Sequence, residues 1–195
     1  MNRSLPVLPF LLPFLLRALE SCGQPSPAGL DDCTSTSSKP DQRIAACTLL
    51  IDAGQLSSQH LATAFHQRGL ARADKRDFGG AISDYNEALR INPQNAGIHN
   101  SAAWLLATAP VASVRNGARA VELARKAAEL SKSKDADILD TLAATYAEAA
   151  NFSEAVRWQE KALEFPEFAK DQGDAARKWL ERYRKGQPYH QAPRQ

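Results

Sequence analysis

The chain has 195 residues, 44% of them hydrophobic, which is enough to bury a core in one or two domains. Its 24 basic and 22 acidic residues leave a formal charge of +2, so nothing in the charge balance indicates nucleic acid or a strongly anionic surface as a partner. Alanine, leucine and charged residues recur at helical spacing with few β-branched runs, and this pattern predicts an all-α fold.

The first predicted element is a signal peptide at residues 1–23. Arg3 precedes an apolar run from Leu5 to Leu16, which is shorter than the roughly 20 residues that span a bilayer but typical of the core of a secretory signal. We therefore expect a periplasmic or secreted protein with no membrane insertion after processing, or a cytoplasmic protein if the leader is not a signal. Leu19–Cys22 resembles a bacterial lipobox, in which Cys22 would carry a lipid anchor, although the charged Glu20 departs from that motif.

A linker and a helix follow the leader. Residues 24–40 are rich in proline, serine and threonine and lack periodicity, which predicts a flexible linker. Residues 41–58 are predicted to form a capping element, in which Asp41 begins a helix and Gly54 ends it.

Two cysteines lie in this part of the chain, Cys33 and Cys47. In an oxidising compartment they would form a disulfide that closes a small loop and contributes about 3 kcal/mol in the chain-entropy description. The alternative is that Cys47, which lies in the apolar run RIAACTLLI, is a buried free thiol.

One short pattern then recurs three times. Each copy places two alanines seven residues apart on one helix face, and each follows a helix with its own small residue. The predicted packing residues are Gly69, Ala81 and Ala88; Ala103, Ala120 and Ala127; and Ala143, Ala155 and Ala162. The spacing gives a period of 34 residues, with five residues added inside the middle unit and one after it. The pattern predicts that helices 59–75 and 78–91, 96–109 and 117–131, and 135–149 and 152–164 form pairs.

The first unit resembles the tetratricopeptide repeat over its whole span. The residues that carry the resemblance are Phe65, Gly69, Phe78, Ala81, Tyr85, Ala88 and Pro93. The resemblance implies an all-α solenoid of about three units, at 62–95, 96–134 with a longer inter-helix turn, and 136–169. The sequence before the first unit is similar to the lead-in of exported proteobacterial tetratricopeptide proteins, which makes it an N-terminal half-repeat.

The C-terminal region is predicted to cap the solenoid. Residues 168–186 place Ala176, Trp179, Leu180 and Tyr183 on one apolar stripe that would pack on the last unit, and Gly186 and Pro188 end the helix. Residues 187–195 are predicted to be a tail.

No catalytic or metal-binding motif is evident. The four histidines are too sparse for a metal site, and the sequence has no HExxH, no paired CxxC and no glycine-rich phosphate loop after a strand. We therefore expect no enzyme activity, no metal and no cofactor. Asp77 precedes Gly79 and Gly80 and is predicted to be a helix N-cap.

The resemblance implies that the protein binds a segment of a partner in the concave groove formed by the first helix of each unit. Carried onto this chain, the groove residues are His66, Leu70, Asn100, Trp104, Asp137 and Asp140. Trp104 would be an apolar anchor, unless it fills the gap between two units. The acidic end of the groove favours a basic segment. The partner is an unidentified protein or peptide; the alternatives are a self-associating element or an accessory subunit of a cell-envelope complex.

Overall fold

A computed structural model describes residues 29–192, and within that range it contains helices and no strand. The ten α-helices are α1 Leu30–Thr34, α2 Pro40–Ala53, α3 Ser58–Asp74, α4 Phe78–Ile91, α5 Ala96–Thr108, α6 Gly117–Leu130, α7 Ala136–Glu148, α8 Phe152–Leu163, α9 Pro166–Asp171 and α10 Gly173–Arg184. The predicted signal peptide, Cys22 and the first residues of the predicted linker lie outside the described residues.

The central six helices form three consecutive pairs. Helix α3 packs on α4, α5 on α6 and α7 on α8, and the first helices of neighbouring pairs also touch, α3 with α5 and α5 with α7. The observed helix bounds differ from the predicted ones by one residue at most. The all-α helical-repeat fold predicted from the sequence is therefore confirmed.

Side-chain caps set the start of most helices in these pairs. Asp77 accepts a hydrogen bond from the Gly80 N–H at 3.0 Å, which confirms the predicted cap of α4. Asn95, Asn116 and Asn151 cap α5, α6 and α8 in the same way. Each cap satisfies a backbone donor that the first helical turn leaves without a partner.

The turns inside the first and third pairs share one design. Arg76 has φ 65° and Ala150 has φ 59°, and each immediately precedes the capping residue of the following helix. The middle pair differs, because residues 109–116 form a longer connection that includes a short 3-10 turn, Ala112–Val114. The five added residues therefore lie in this connection.

The nine predicted packing residues are all buried where the helices meet. Gly69 shows why a small residue is needed, since a Cβ atom built on it would lie 2.6 Å from the ring of Tyr85 on the paired helix. No real Cβ contact is that short, so even alanine at this position would displace the Tyr85 ring.

Replacing Ala143 by leucine is expected to lower the free energy of unfolding by about 1–3 kcal/mol, because the added atoms over-pack a fully buried seam. The measurement is denaturant unfolding followed by circular dichroism. The matched control is Ala175→Leu on α10, where the alanine is exposed. Equal unfolding midpoints for the two variants would contradict this position for Ala143.

The N-terminal part corrects the predicted linker. Residues 30–34 form helix α1, with Leu30 and Cys33 buried, so the linker prediction for 24–40 is wrong over this stretch. Cys33 is joined to Cys47 on α2 by a disulfide with Cα atoms 4.7 Å apart, and both pack against Ala64 of α3. Two apolar residues one helical turn apart are enough to dock this short helix, although the surrounding serines, threonines and proline indicated a loop.

The C-terminal part corrects the predicted capping helix. In place of one helix over 168–186, the chain forms α9 and α10, which are separated at Gln172. Pro166 begins α9, which buries Phe168 against Leu139 and Ala162. Helix α10 then buries Ala176, Leu180 and Tyr183. Ala176 joins Phe168 in the cluster around Leu139, whereas Tyr183 packs in a second cluster with Ala143 and Ala155 of the third pair.

Candidate functional site

The first helices of the three pairs, α3, α5 and α7, form the surface that we call the groove. A cavity of about 350 Å³ lies against it and is closed on the far side by α10 and by residues after α10. Five of the six predicted groove residues line this cavity, namely Leu70, Asn100, Trp104, Asp137 and Asp140.

His66 does not line the cavity. Its Nε2 atom lies 2.9 Å from the hydroxyl oxygen of Ser101 on α5, and its ring lies 5.9 Å from that of Tyr85. Burial lowers the pKa of His66 to about 4, so the imidazole is neutral at physiological pH. His66 therefore lies in the seam between α3 and α5, where it links two neighbouring units.

Three aromatic rings pack together at the site, and two of them, Trp104 and Trp179, line the cavity. The Trp104 ring centre lies 5.7 Å from that of Trp179 on α10 and 6.0 Å from that of Tyr189, and the Trp179 and Tyr189 rings are 4.6 Å apart. Trp104 is half-buried, and its ring neighbours belong to the C-terminal region rather than to an adjacent repeat unit. An aromatic cluster of this kind is a large apolar surface for a ligand side chain.

Sequence reasoning missed that Trp179 lines the cavity and that Tyr189 packs against Trp104 and Trp179 beside it. Trp179 was assigned to the capping stripe, but it lies at the edge of that stripe and is half-buried, whereas Leu180 beside it is buried. Tyr189 is a lone aromatic residue in the polar stretch GQPYHQ, and that isolation was the available signal.

Hydrogen-bond acceptors also line the cavity. Asp140 is only 5% exposed and accepts a bond of 2.6 Å from the Gln159 side-chain amide. Burial raises the pKa of Asp140 to about 7; the Gln159 hydrogen bond lowers it and the charge of Asp137 raises it. Asn100 has an enclosed side-chain oxygen that meets no hydrogen-bond donor within the described part of the chain. These groups can accept hydrogen bonds from a ligand and can stabilise a positive charge.

The residues after α10 are not a free tail as far as the structure describes them. Residues 188–191 are half-buried. The Gln191 N–H donates to the Thr108 carbonyl oxygen at 2.8 Å, and Arg76 donates to the Ala192 carbonyl oxygen at 2.9 Å. His190 Nε2 lies 2.6 Å from a carboxylate oxygen of Glu148. The prediction of a simple tail at 187–195 is therefore wrong for residues 188–192, because their backbone and side chains bond to the ends of α5 and α7 and to the turn after α3.

Other kinds of site are absent from the described range. Within residues 29–192, no three His, Cys, Asp or Glu side chains cluster closely enough to hold a metal ion. Over the same range, every helix is either too short or too polar to cross a membrane.

Comparison with known proteins identifies the first helical pair. Residues 62–95 match the family model of the tetratricopeptide repeat. The chain carries a tetratricopeptide repeat. The match covers most of α3 and all of α4, and its bounds are those predicted from the sequence for the first unit. Such a repeat supports the general role of a protein-interaction scaffold.

A solved structure also matches the chain. It is the N-terminal domain of stress-induced protein-1 (STI-1) from C. elegans, with 22% sequence identity and a TM-score of 0.48. The match covers 65% of this chain and 99% of that one. No curated protein matches the chain.

Proposed function

We propose that this protein is a scaffold that binds an extended segment of a partner protein in the groove, with Trp104 as the central contact. The observation that carries the proposal is the arrangement of the cavity. The aromatic rings of Trp104 and Trp179 line the same cavity as the hydrogen-bond acceptors of Asn100, Asp137 and Asp140. Large rings combined with a few polar groups are typical of sites that bind a peptide side chain and its backbone together.

The charges of the groove favour a partner segment with a cationic side chain. Asp137 is exposed at the cavity and is already bonded to the Gln172 amide, while Asp140 lies deeper. Glu148 lies at the end of α7, close to the same face. Glu148 is already paired with Arg115, so the negative potential of this end of the groove comes from Asp137 and from the ionised fraction of Asp140. This potential attracts lysine or arginine and repels acidic segments.

Replacing Trp104 by alanine is expected to weaken partner binding by about 2 kcal/mol or more, roughly thirtyfold, because a central aromatic contact is lost. The measurement is affinity capture from the native cell followed by mass spectrometry, with wild type and variant compared at equal folded concentration. Trp158→Ala is the matched control, since Trp158 lies on α8 and does not line the cavity. A protein recovered with wild type and with Trp158→Ala but lost with Trp104→Ala is the expected result. Identical captures from all three proteins would contradict groove binding.

We further propose that the protein works in an oxidising compartment, the periplasm or the exterior of the cell. The support is the Cys33–Cys47 disulfide, which fixes α1 on α2. Disulfides persist in such compartments and are rare in the reducing cytosol. Mass measurement of the protein from its native cells after thiol alkylation tests this. One disulfide per chain is expected, and two alkylated thiols at Cys33 and Cys47 would contradict it.

A further inference from the structure

The chain turns back immediately after α10. Gly186 has φ +67°, a left-handed conformation that glycine adopts without strain and that ends the helix. Arg182 then donates from its guanidinium to the Pro188 carbonyl oxygen at 3.1 Å. These two features aim residues 187–192, which we call the C-terminal segment, toward the groove.

Three consecutive residues of the C-terminal segment each bond to a different repeat unit. His190 contacts Glu148 of the third unit, Gln191 contacts Thr108 of the second, and Ala192 contacts Arg76 of the first. Thr108 is the last residue of α5 and Glu148 is the last residue of α7, while Arg76 follows α3 by two residues. The segment therefore runs along the array from the third unit to the first, across the carboxyl ends of the groove helices.

Tyr189 supplies the apolar contact of the segment. Its ring packs against the two rings that line the cavity, with its centre 4.6 Å from that of Trp179 and 6.0 Å from that of Trp104. The Tyr189 ring thus covers part of the aromatic surface that Trp104 and Trp179 would offer to a partner.

In the contact between His190 and Glu148, the Glu148 side chain is held in place independently of the C-terminal segment. Arg115, in the longer connection of the middle pair, donates to Glu148 Oε1 at 3.0 Å and to the Ala109 carbonyl oxygen at 2.8 Å. The side chains of Arg115 and Glu148 are each only 15% exposed. The second carboxylate oxygen of Glu148 then faces His190 and forms a fixed acceptor for a donor from any bound segment.

We propose that the C-terminal segment is an intramolecular ligand of the groove, and that the partner displaces it with an extended segment of the same chemistry. Such a segment has an aromatic residue at its first position, as Tyr189 is here, and a histidine or cationic residue at its second, as His190 is. Its third position, which corresponds to Gln191, can be any residue other than proline. Proline is excluded at the third position because the N–H of Gln191 donates to Thr108. The proposal rests on the groove being the partner site, as proposed above.

The test uses the full chain and a fluorescein-labelled peptide with the sequence of residues 186–195. The release variant is Tyr189→Ala with His190→Ala, which removes the anchoring side chains of the segment and leaves the groove intact. The matched control is Gln187→Ala, since the Gln187 side chain is exposed. Fluorescence anisotropy gives the affinity of the peptide, and circular dichroism melting checks that each protein is folded.

The peptide is expected to bind the release variant about tenfold or more tightly than wild type or Gln187→Ala, because a ligand tethered by a short linker competes at roughly millimolar effective concentration. Adding Trp104→Ala to the release variant should abolish binding, as should a peptide with proline in place of the residue equivalent to Gln191. Equal affinity for wild type and release variant, or no binding to the release variant, would overturn the proposal.

The outcomes separate this proposal from the proposed function. If partner capture depends on Trp104 but the peptide does not distinguish wild type from the release variant, the groove is a partner site and the intramolecular ligand is overturned. If the peptide behaves as expected but capture is the same with Trp104→Ala, the segment does occupy the groove and the partner contacts another surface. The second result supports the segment as a ligand and overturns its displacement by the partner.

Discussion

Replacing Asp84 by alanine is expected to lower the free energy of unfolding by about 3–5 kcal/mol, because it leaves the largely buried Arg68 without its counter-ion and leaves Arg72 with only the more distant carboxylate of Asp77. Asp84 lies on α4 and is 2% exposed. Arg68 of α3 donates to both of its carboxylate oxygens, at 3.0 and 2.8 Å, and Arg72 lies 3.0 Å from one of them. Arg68 also donates to the Thr48 hydroxyl on α2, so the loss would loosen three helices together.

The measurement for Asp84→Ala is urea unfolding followed by circular dichroism. Glu87→Ala is the matched control, because Glu87 lies on the same helix in an exposed pair with Arg90 and should change stability by at most about 0.5 kcal/mol. A loss below about 1 kcal/mol for Asp84→Ala would show that water enters and solvates the two arginines, and would contradict a closed ionic cluster.

Replacing Asp140 by asparagine is expected to make the protein progressively more stable than wild type as the pH rises from 4 to 8, with a total change of up to about 4 kcal/mol. Burial raises the pKa of Asp140 from 3.8 to about 7. Between these values the folded state binds a proton that the unfolded state has released. The stability that this group contributes is therefore fully present below pH 4 and is lost as the pH rises through 7. Asparagine does not ionise, so the variant does not lose this stability as the pH rises.

The contribution of His66 to stability has the opposite pH dependence, so the experiment must separate it from the contribution of Asp140. Burial lowers its pKa from 6.5 to about 4, so its contribution is present above pH 6.5 and is lost as the pH falls toward 4. In wild type the two effects oppose each other between pH 4 and 6.5. The difference between Asp140→Asn and wild type cancels His66, which both proteins share. Denaturant midpoints at each pH provide this difference, and Asp174→Asn, at an exposed carboxylate, is the control. A difference that does not vary with pH would contradict a buried, titrating Asp140.

The repeat architecture was predictable because it depends on small residues at fixed spacing. Alanines seven residues apart determine which helix faces meet, and capping residues such as Asp77 determine where the helices begin. These signals are local and strong. They predicted the three helical pairs to within one residue. The choice of Leu70, Asn100 and Asp140 as groove residues came instead from the resemblance to the tetratricopeptide repeat, and these residues line the cavity.

The terminal regions were harder to predict because their structure depends on tertiary contacts. Helix α1 has five residues and is held by the burial of Leu30 and Cys33 rather than by helix propensity. At the break between α9 and α10, Phe168 and Ala176 from its two sides both pack in one cluster with Leu139. Tyr189 has no periodic pattern around it at all, and its position depends on Trp104 and Trp179, which are distant in sequence.

The C-terminal segment restrains the curvature of the repeat array, in addition to competing with a partner for the groove. The curvature of a solenoid arises from a small rotation between each unit and the next. The C-terminal segment is bonded to all three units, through Arg76, Thr108 and Glu148. These bonds limit how far the rotations between units can change. Displacement of the C-terminal segment by a partner would remove this restraint, so that the curvature of the array could adapt to the bound partner.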